Sequence, residues 1–381
     1  MKILAFNWQD IKHPLGGGAE VHFHEIFSRI VKAGHEVTLF CSSFRGALPS
    51  EWIDGIEIIR RGGRNTFNFW VPLMYWTRFQ RRQFEVVIDD VNKIPFFTPL
   101  FVRKPLVGIG HHLFGKTIFL ETHFLAALYL YLSEKLFKYI YRRTPFLVVS
   151  ESTRQEFLEL GFPDENLFIV PNCIDPSVYR TTGVKKSAVP LIGYFGRLKK
   201  YKSIDHLLLA YQIVKEDFPE TRLRVIGDGD DRKRLERLAE ELRLGGSVEF
   251  TGYAGGEKKV EFLQAMHFLV NTSSKEGWGL TVLEANACGT CVIASDVPGL
   301  RDSVTDGETG LLYEYGNIEQ LAEKISVLLR DEKLRERLSK NALEWSKKFR
   351  WDDSAKKTLE VLEKVIASRK RIPSPPRRGL G

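Results

Sequence analysis

The sequence predicts an α/β protein with two doubly wound lobes in tandem, and three observations carry that prediction. Short apolar runs of the length that fills a parallel sheet alternate with helical periods through the first half of the chain. A polar stretch without a clear period, Arg180 to Val189, then interrupts the pattern, and the alternation restarts at Leu191-Ile192-Gly193-Tyr194-Phe195. At 381 residues and 43% hydrophobic content, the chain has enough apolar material for two buried cores.

In the first half, strands are expected at Ile3 to Phe6, Glu36 to Cys41, Ile56 to Ile59, Val86 to Asp89, Leu106 to Ile109 and Leu147 to Val149. Helical periods cover Ala19 to Ala33 and Thr153 to Leu160. The second half repeats the scheme, and Gly310-Leu311-Leu312 closes its sheet before three helical patterns, the last at about Asp352 to Ile366. Ligands of doubly wound lobes bind beyond the carboxyl ends of the strands, so the loops that follow strands define the search.

Composition narrows the function classes. Cys41, Cys173, Cys288 and Cys291 are too few and too irregular for a disulfide scaffold, and the CxxC spacing of the last two lacks a partner pair for zinc. The first strand starts almost at once, with Lys2-Ile3-Leu4-Ala5-Phe6, so a cleaved leader is not expected and a cytoplasmic location is. The net charge of +8 suits an anionic substrate or surface, but no nucleic-acid module is recognisable. Basic and aromatic residues mix at Arg60 to Arg82 and again at Lys135 to Arg143. Next to the second cluster lies a charge-free stretch, Thr122 to Ser133, whose 12 residues fall short of a bilayer span. Leu125, Leu128, Leu132 and Leu136 mark a helix there that either contacts a membrane interface or packs in the core.

Three loops of the first half draw attention. Gly16-Gly17-Gly18 directly precedes a helix, leaving first-turn amides open to a ligand, although a hinge or plain turn would look the same. His111-His112 follows the strand ending near Ile109; a metal would need further converging ligands, whereas a neutral imidazole can donate to an oxygen or accept from a hydroxyl. Ser150 or Ser152 can cap the next helix, and Arg154 faces either an anionic acceptor or the lobe wall.

The second half is richer. Gly196-Arg197-Leu198-Lys199-Lys200-Tyr201-Lys202 is a glycine turn after a strand with cations placed for a diphosphate, Arg197 forking across oxygens and Lys202 adding a mobile point charge. Gly227 and Tyr253 stand at two further strand ends that run into glycine turns. Most telling is Glu276-Gly277-Trp278-Gly279-Leu280-Thr281, in which two glycines permit a tight turn into a helix carrying Glu284. A carboxylate on each side of a phosphate-accepting turn suits a ligand with both phosphates and sugar hydroxyls. An ordinary turn with solvated glutamates is the plainer alternative.

The E-x7-E spacing of Glu276 and Glu284 resembles the motif of retaining glycosyltransferases with two Rossmann-like lobes. The run from Glu276 to Leu280 is similar to the EGFGL form of glycosyltransferase family 4, with Trp278 where that family usually has Phe. Arg197 to Lys202 resembles its GR-x4-K donor site, with Ser203 in place of a following glycine, and Val170 to Asp175 resembles its VPNGID segment, with Cys173 at the glycine. Cys291 stands at a usual proline. The likeness covers roughly residues 1 to 367.

It implies a GT-B architecture: an acceptor lobe over 1–180, a nucleotide-sugar lobe over 181–350 and a crossing helix over 351–367, followed by a basic tail over 368–381 that is expected to be disordered. The implied reaction moves a sugar from a nucleoside-diphosphate sugar to an acceptor hydroxyl with retention, without a metal or other cofactor. Catalytic roles are implied for His111, Glu276, Arg197 and Lys202. Donor contacts are implied at Gly16, Gly17, Gly18, Gly227, Tyr253, Gly277, Trp278, Gly279, Leu280, Thr281 and Glu284. The cations and aromatics of the first lobe fit a lipid-linked or polysaccharide acceptor at the inner face of a membrane. A non-catalytic sugar-nucleotide-binding protein and an epimerase of the same architecture are the alternatives.

Overall fold

The computed structural model describes residues 1–92, 94–113, 118–119 and 124–370. It forms two α/β lobes, each around its own sheet. The first sheet contains β1 (Lys2–Phe6), β2 (Glu36–Cys41), β3 (Ser50–Ile53), β4 (Ile56–Arg60), β5 (Val86–Val91), β6 (Leu106–Gly110), β7 (Phe146–Val148) and β8 (Leu167–Ile169). The second contains β9 (Leu191–Phe195), β10 (Arg222–Ile226), β11 (Val248–Gly252), β12 (Phe268–Asn271), β13 (Cys291–Ser295) and β14 (Gly310–Tyr313). Helices α1 (Gly18–Lys32), α2 (Phe67–Thr77), α3 (Phe124–Ile140) and α4 (Glu151–Glu159) belong to the first lobe. Those of the second are α5 (Ile204–Asp217), α6 (Arg232–Glu241), α7 (Gly256–Ala265), α8 (Leu280–Ala287), α9 (Leu300–Ser303), α10 (Ile318–Arg330) and α11 (Glu332–Ser346), and α12 (Trp351–Lys370) ends the described chain.

Strand order is β3-β4-β2-β1-β5-β6-β7-β8 in the first sheet and β11-β10-β9-β12-β13-β14 in the second. Every pairing is parallel except β3 with β4. The order therefore reverses between β1 and β5, and between β9 and β12. Loops leaving neighbouring strands at such a point diverge and open a crevice. The glycine loop follows β1, the Arg197 loop follows β9, and the Glu276 loop follows β12.

Both faces of each sheet are covered, so the strands read as nearly continuous apolar runs. In the first lobe, Ile3, Ala5, Val107 and Ile109 pack with α1 and α12. On the opposite face, Leu4, Phe6 and Val87 pack under α2, and Val91, Phe146 and Val148 under α3. Although it follows the second lobe in sequence, α12 returns to the first, with Ala355, Val361 and Leu362 in its core and Asp352 accepting from Arg29 Nε at 2.8 Å. It extends to Lys370, beyond the expected end of the crossing helix, and the tail from residue 371 lies outside the described residues.

The Thr122 to Ser133 stretch begins with two residues that lie outside those described, and from Phe124 it is α3. Its leucine stripe does not pack in the core. Leu125, Leu132 and Leu136 are 78%, 52% and 53% exposed, while Ala127, Ser133 and Phe137 form the buried side.

Candidate functional site

The loop after β1 is held from below by a buried ion pair. Arg60 Nε donates to Asp10 Oδ2 at 2.7 Å and Arg60 Nη1 to Glu51 Oε1 at 2.7 Å, and the arginine is 2% exposed. Gly17 lies at the start of α1, and its N–H already donates to Glu20 Oε2 at 2.6 Å. Gly16 N–H donates to the His13 carbonyl at 2.8 Å. Glu20 thus reaches back to the residue that caps α1, as a glutamate in a first turn does, while the Gly16 N–H is closed in a turn. Gly18 has open space on its side-chain side.

From Glu20 a chain of buried polar groups leads to His111. Asn92 Nδ2 donates to Glu20 Oε1 at 3.1 Å and to Asn7 Oδ1 at 3.0 Å. Asn7 Nδ2 donates to Asp90 Oδ2 at 2.7 Å, and His111 Nε2 lies 2.9 Å from Asp90 Oδ1. An ionised Asp90 carboxylate only accepts, so His111 Nε2 is the donor in this bond. The His111 ring stands edge-on to His22, with centroids 5.2 Å apart. Burial, followed by the proximity of His111, pushes His22 down to about 3, and the ring stays neutral against the Val170 carbonyl. Loss of water around His112, with Lys275 and His111 close by, likewise pushes that histidine to about 3. Arg154 is tied to Glu151 at 2.7 Å and Asp164 at 2.5 Å.

Across the crevice, Gly196 has φ +155° and Ser203 φ +48°, bracketing the cationic turn. Ser203 thus adopts the left-handed backbone that glycine would take at lower cost. Arg197 is exposed and reaches the other lobe: a β-carbon on Gly17 would lie 3.3 Å from Arg197 Nη2. Lys202 pairs with Glu276, which also accepts from Ser273 Oγ at 2.9 Å. Burial opposes the Glu276 charge, but the charge and hydrogen bond of Lys202, then Ser273 and His112, hold its carboxyl below the usual range. Burial also opposes the Lys202 charge, and Glu276 together with Tyr201 outweighs it and raises the lysine above its ordinary value. Both partners are therefore ionised at neutral pH.

The turn between β12 and α8 is shaped by close approaches. Gly279 has φ +81°, and Gly277 faces the His111 carbonyl, where a β-carbon would stand only 2.4 Å from the oxygen. Helix geometry leaves the Leu280 and Thr281 N–H groups outside the internal ladder. The Trp278 side chain is 6% exposed and packs on Phe349 at 5.0 Å, on the apolar segment leading into α12. Gly227 is likewise occupied within the protein: its N–H donates to the Gly252 carbonyl at 2.8 Å, and the absence of a side chain admits the Gly196 carbonyl. Tyr253 is 85% exposed.

Glu284 is buried and forms an ion pair with Lys259 at 2.6 Å, while the lysine lies 4.6 Å from the centre of the Phe195 ring. Sequence reasoning missed Lys259, which stands in an unremarkable Lys258-Lys259 pair on a polar helix. It missed Asp90, Asn7 and Asn92 as well, although Asp89-Asp90 at the end of an apolar strand is a signal that could have been used. The lobes also meet through Lys275 Nζ, which donates to Glu156 Oε1 at 2.8 Å, and through Ser152 N–H, which donates to Asp302 Oδ2 at 3.0 Å. No group of three or more His, Cys, Asp or Glu side chains among the described residues is placed to hold a metal ion.

Two facing lobes with a crossing C-terminal helix and ligand loops at both switch points define a GT-B architecture. The same fold is seen in sucrose-phosphate synthase from Thermosynechococcus elongatus, with a TM-score of 0.83 at 21% identity over 96% of this chain and 99% of that one. It is also seen in HepE from Anabaena in complex with UDP and glucose, with a TM-score of 0.76 at 19% identity over 96% and 100%. Residues 16–178 match the family model described as Glycosyltransferase Family 4, and residues 179–345 match Glycosyl transferases group 1. The chain is a GT-B-fold glycosyltransferase carrying these two domain types in tandem. It is 29% identical to the poly(glycerol-phosphate) alpha-glucosyltransferase of Bacillus subtilis over 221 residues, which are 57% of this chain and 32% of that protein. It spans under half the length of two other curated relatives, at 33% and 34% identity.

Proposed function

We propose that this protein is a family 4 enzyme that transfers a sugar from a nucleoside-diphosphate sugar to an acceptor hydroxyl, retaining the anomeric configuration. The observation that carries the reading is the convergence of the Lys202–Glu276 pair, the Arg197 guanidinium over Gly17 and the backbone of His111 against Gly277 at one junction of the two lobes. UDP and UDP-glucose, the ligands of the Anabaena neighbour, support a uridine donor as the first to test.

In this reading Arg197, Lys202 and the Leu280 and Thr281 N–H groups face the diphosphate. As the bond from the sugar C1 to the diphosphate oxygen breaks, its electron pair leaves on that oxygen and the cations stabilise the growing charge. The acceptor oxygen bonds to C1 on the same face, and its proton passes to the departing diphosphate. Ionised Glu276 accepts hydrogen bonds from hydroxyls of the transferred sugar, and His111 approaches from the acceptor lobe, held by Asp90. Glu284 holds the ribose, sharing its carboxylate with Lys259, and Tyr253 lies beside the base. Gly16 to Gly18 border the acceptor.

The acceptor is lipid-linked or a polysaccharide of the cell envelope, met at the inner face of the membrane. The basic first lobe supports this, as does the polymer in the name of the Bacillus relative. The test is proton NMR of the first sugar released from an α-linked nucleotide sugar. Appearance of the α-anomer ahead of mutarotation agrees with retention; the β-anomer first excludes it.

A further inference from the structure

We propose that the outer face of α2 and α3 docks on an anionic lipid bilayer. This rests on the proposed transfer reaction, whose acceptor comes from a membrane, and adds the surface that meets it. Both helices cover the same side of the first sheet, opposite α1 and α12. They touch through Asn68 Nδ2, which donates to the Tyr129 hydroxyl at 3.1 Å.

Their outward sides are apolar. On α2, Phe69, Leu73 and Trp76 recur at helical spacing and are 70%, 51% and 62% exposed. On α3, Leu125, Tyr129, Leu132, Leu136 and Tyr139 alternate spacings of four and three, a single stripe along the helix, and all are exposed. Nine of the nineteen large hydrophobic side chains exposed among the described residues lie on these two helices, a concentration that scattered surface residues do not produce. No helix of the described residues is long and apolar enough to cross a membrane. Each helix packs one apolar side on the sheet and leaves a second apolar side exposed, a face that can rest in a bilayer interface without spanning it.

Charge selects the partner. Residues 58–84 contain six arginines and no acidic residue, and Arg61, Arg64, Arg78 and Arg81 are exposed. Residues 124–143 set Lys135, Lys138, Arg142 and Arg143 against the single acid Glu134. Lys135 and Lys138 lie 5.2 and 5.0 Å from the ring centres of Tyr131 and Tyr139, the pairing of cation and amphipathic aromatic found at bilayer surfaces. Where the stripe ends, Tyr139, Ile140, Arg142, Arg143 and Pro163 line a cleft of about 670 Å³, a basic recess for a lipid phosphate. A second copy of the chain is a poor occupant, because a two-fold contact through this face would bring the two basic rims together. In the chain, α3 follows the His111 loop, so docking here sets the acceptor lobe against the membrane.

The test is sedimentation of the full chain with vesicles of phosphatidylcholine alone or mixed with phosphatidylglycerol, with nucleotide-diphosphate binding measured on the same samples. The wild type is expected to bind the anionic vesicles, and high salt to weaken that binding without removing it, since apolar burial is unscreened. Combined Trp76→Gln, Leu132→Gln and Leu136→Gln, and separately Arg142→Gln with Arg143→Gln, should each lower vesicle affinity by about tenfold or more while leaving nucleotide binding intact. Equal binding by wild type and variants, or none by the wild type, overturns the proposal. So does a change of oligomeric state in the variants without vesicles, which assigns the face to a second copy. Failure of nucleotide binding would count against the donor site instead and leaves the vesicle result readable.

Discussion

Gly277 and the carbonyl of His111 close the cleft from opposite lobes, and the space between them has no room for a β-carbon, which would sit 2.4 Å from the oxygen. Gly277→Ala should therefore push the loop or the lobes apart by a fraction of an ångström to an ångström. Misplacement on that scale lowers turnover by about 10²-fold. Nucleotide-diphosphate affinity should change by far less, since Arg197 and Lys202 stay on one lobe. Comparing kcat with calorimetric affinity checks this, and a proportional loss of both would place the glycine in donor binding.

Asp90 fixes the proton on His111 Nε2. In Asp90→Asn the amide can present its N–H to that nitrogen and reverse the tautomer, so turnover should fall by about tenfold, the scale of one lost polar contact to the transferred sugar. KM for the donor and the melting temperature should move little. Rescue by Asp90→Glu, or a shift in the pH–rate profile, would distinguish positioning from loss of structure.

Lys259 and Glu284 are a buried pair. Lys259→Met leaves a carboxylate buried without its cation and should cost about 3 kcal/mol of stability in urea unfolding. Adding Glu284→Gln should restore most of that stability. It should not restore nucleotide affinity, if the carboxylate meets the ribose.

Acid stability follows from buried neutral histidines. His22 is held near 3 by burial and by His111, against an unfolded value of about 6.5. Its contribution is complete above pH 6.5 and is lost as pH falls from there toward 3, because the unfolded chain binds the proton first. The slope approaches about 1.4 kcal/mol per pH unit for one group. His112, near 3, and His267, near 4, act in the same direction. Asp89, raised by burial to about 6, opposes them between pH 6 and its unfolded value. Urea unfolding at pH 7, 6 and 5 should show a steep fall, shallower in His22→Gln; identical slopes would remove His22 as a contributor.

Much of the fold and part of the site are legible in the sequence, and the exceptions have physical reasons. Apolar runs mark strands buried on both faces, which is why β1, β2, β5 and β6 emerge. Ser50–Ile53 and Leu167–Ile169 escape because edge strands with half-solvated patterns lack that signal. Phe67–Thr77 reads only as an aromatic and basic cluster, since Pro72 interrupts it and its sides are apolar all round. Periodicity identifies the leucine stripe of α3 but cannot say which way it faces; exposure does. The Glu276 loop is legible because two glycines set between carboxylates at the head of an apolar helix suit a ligand and contribute nothing to a core. The polar chain from Glu20 to His111 is not, because its members come from three strand ends and the first turn of α1, which only the fold brings together.

The most direct test of sugar transfer at this cleft is calorimetric titration of the purified chain with UDP, GDP and ADP, and then with their sugar derivatives. The predicted result is a preference for one base, tighter binding of its sugar nucleotide than of the bare diphosphate, and loss of that difference in Glu276→Ala with the bare diphosphate still bound. A difference of about tenfold corresponds to about 1.4 kcal/mol, the scale of one polar contact to the sugar. Absence of binding by any nucleotide diphosphate to the folded chain, or sugar discrimination undiminished in Glu276→Ala, would contradict it.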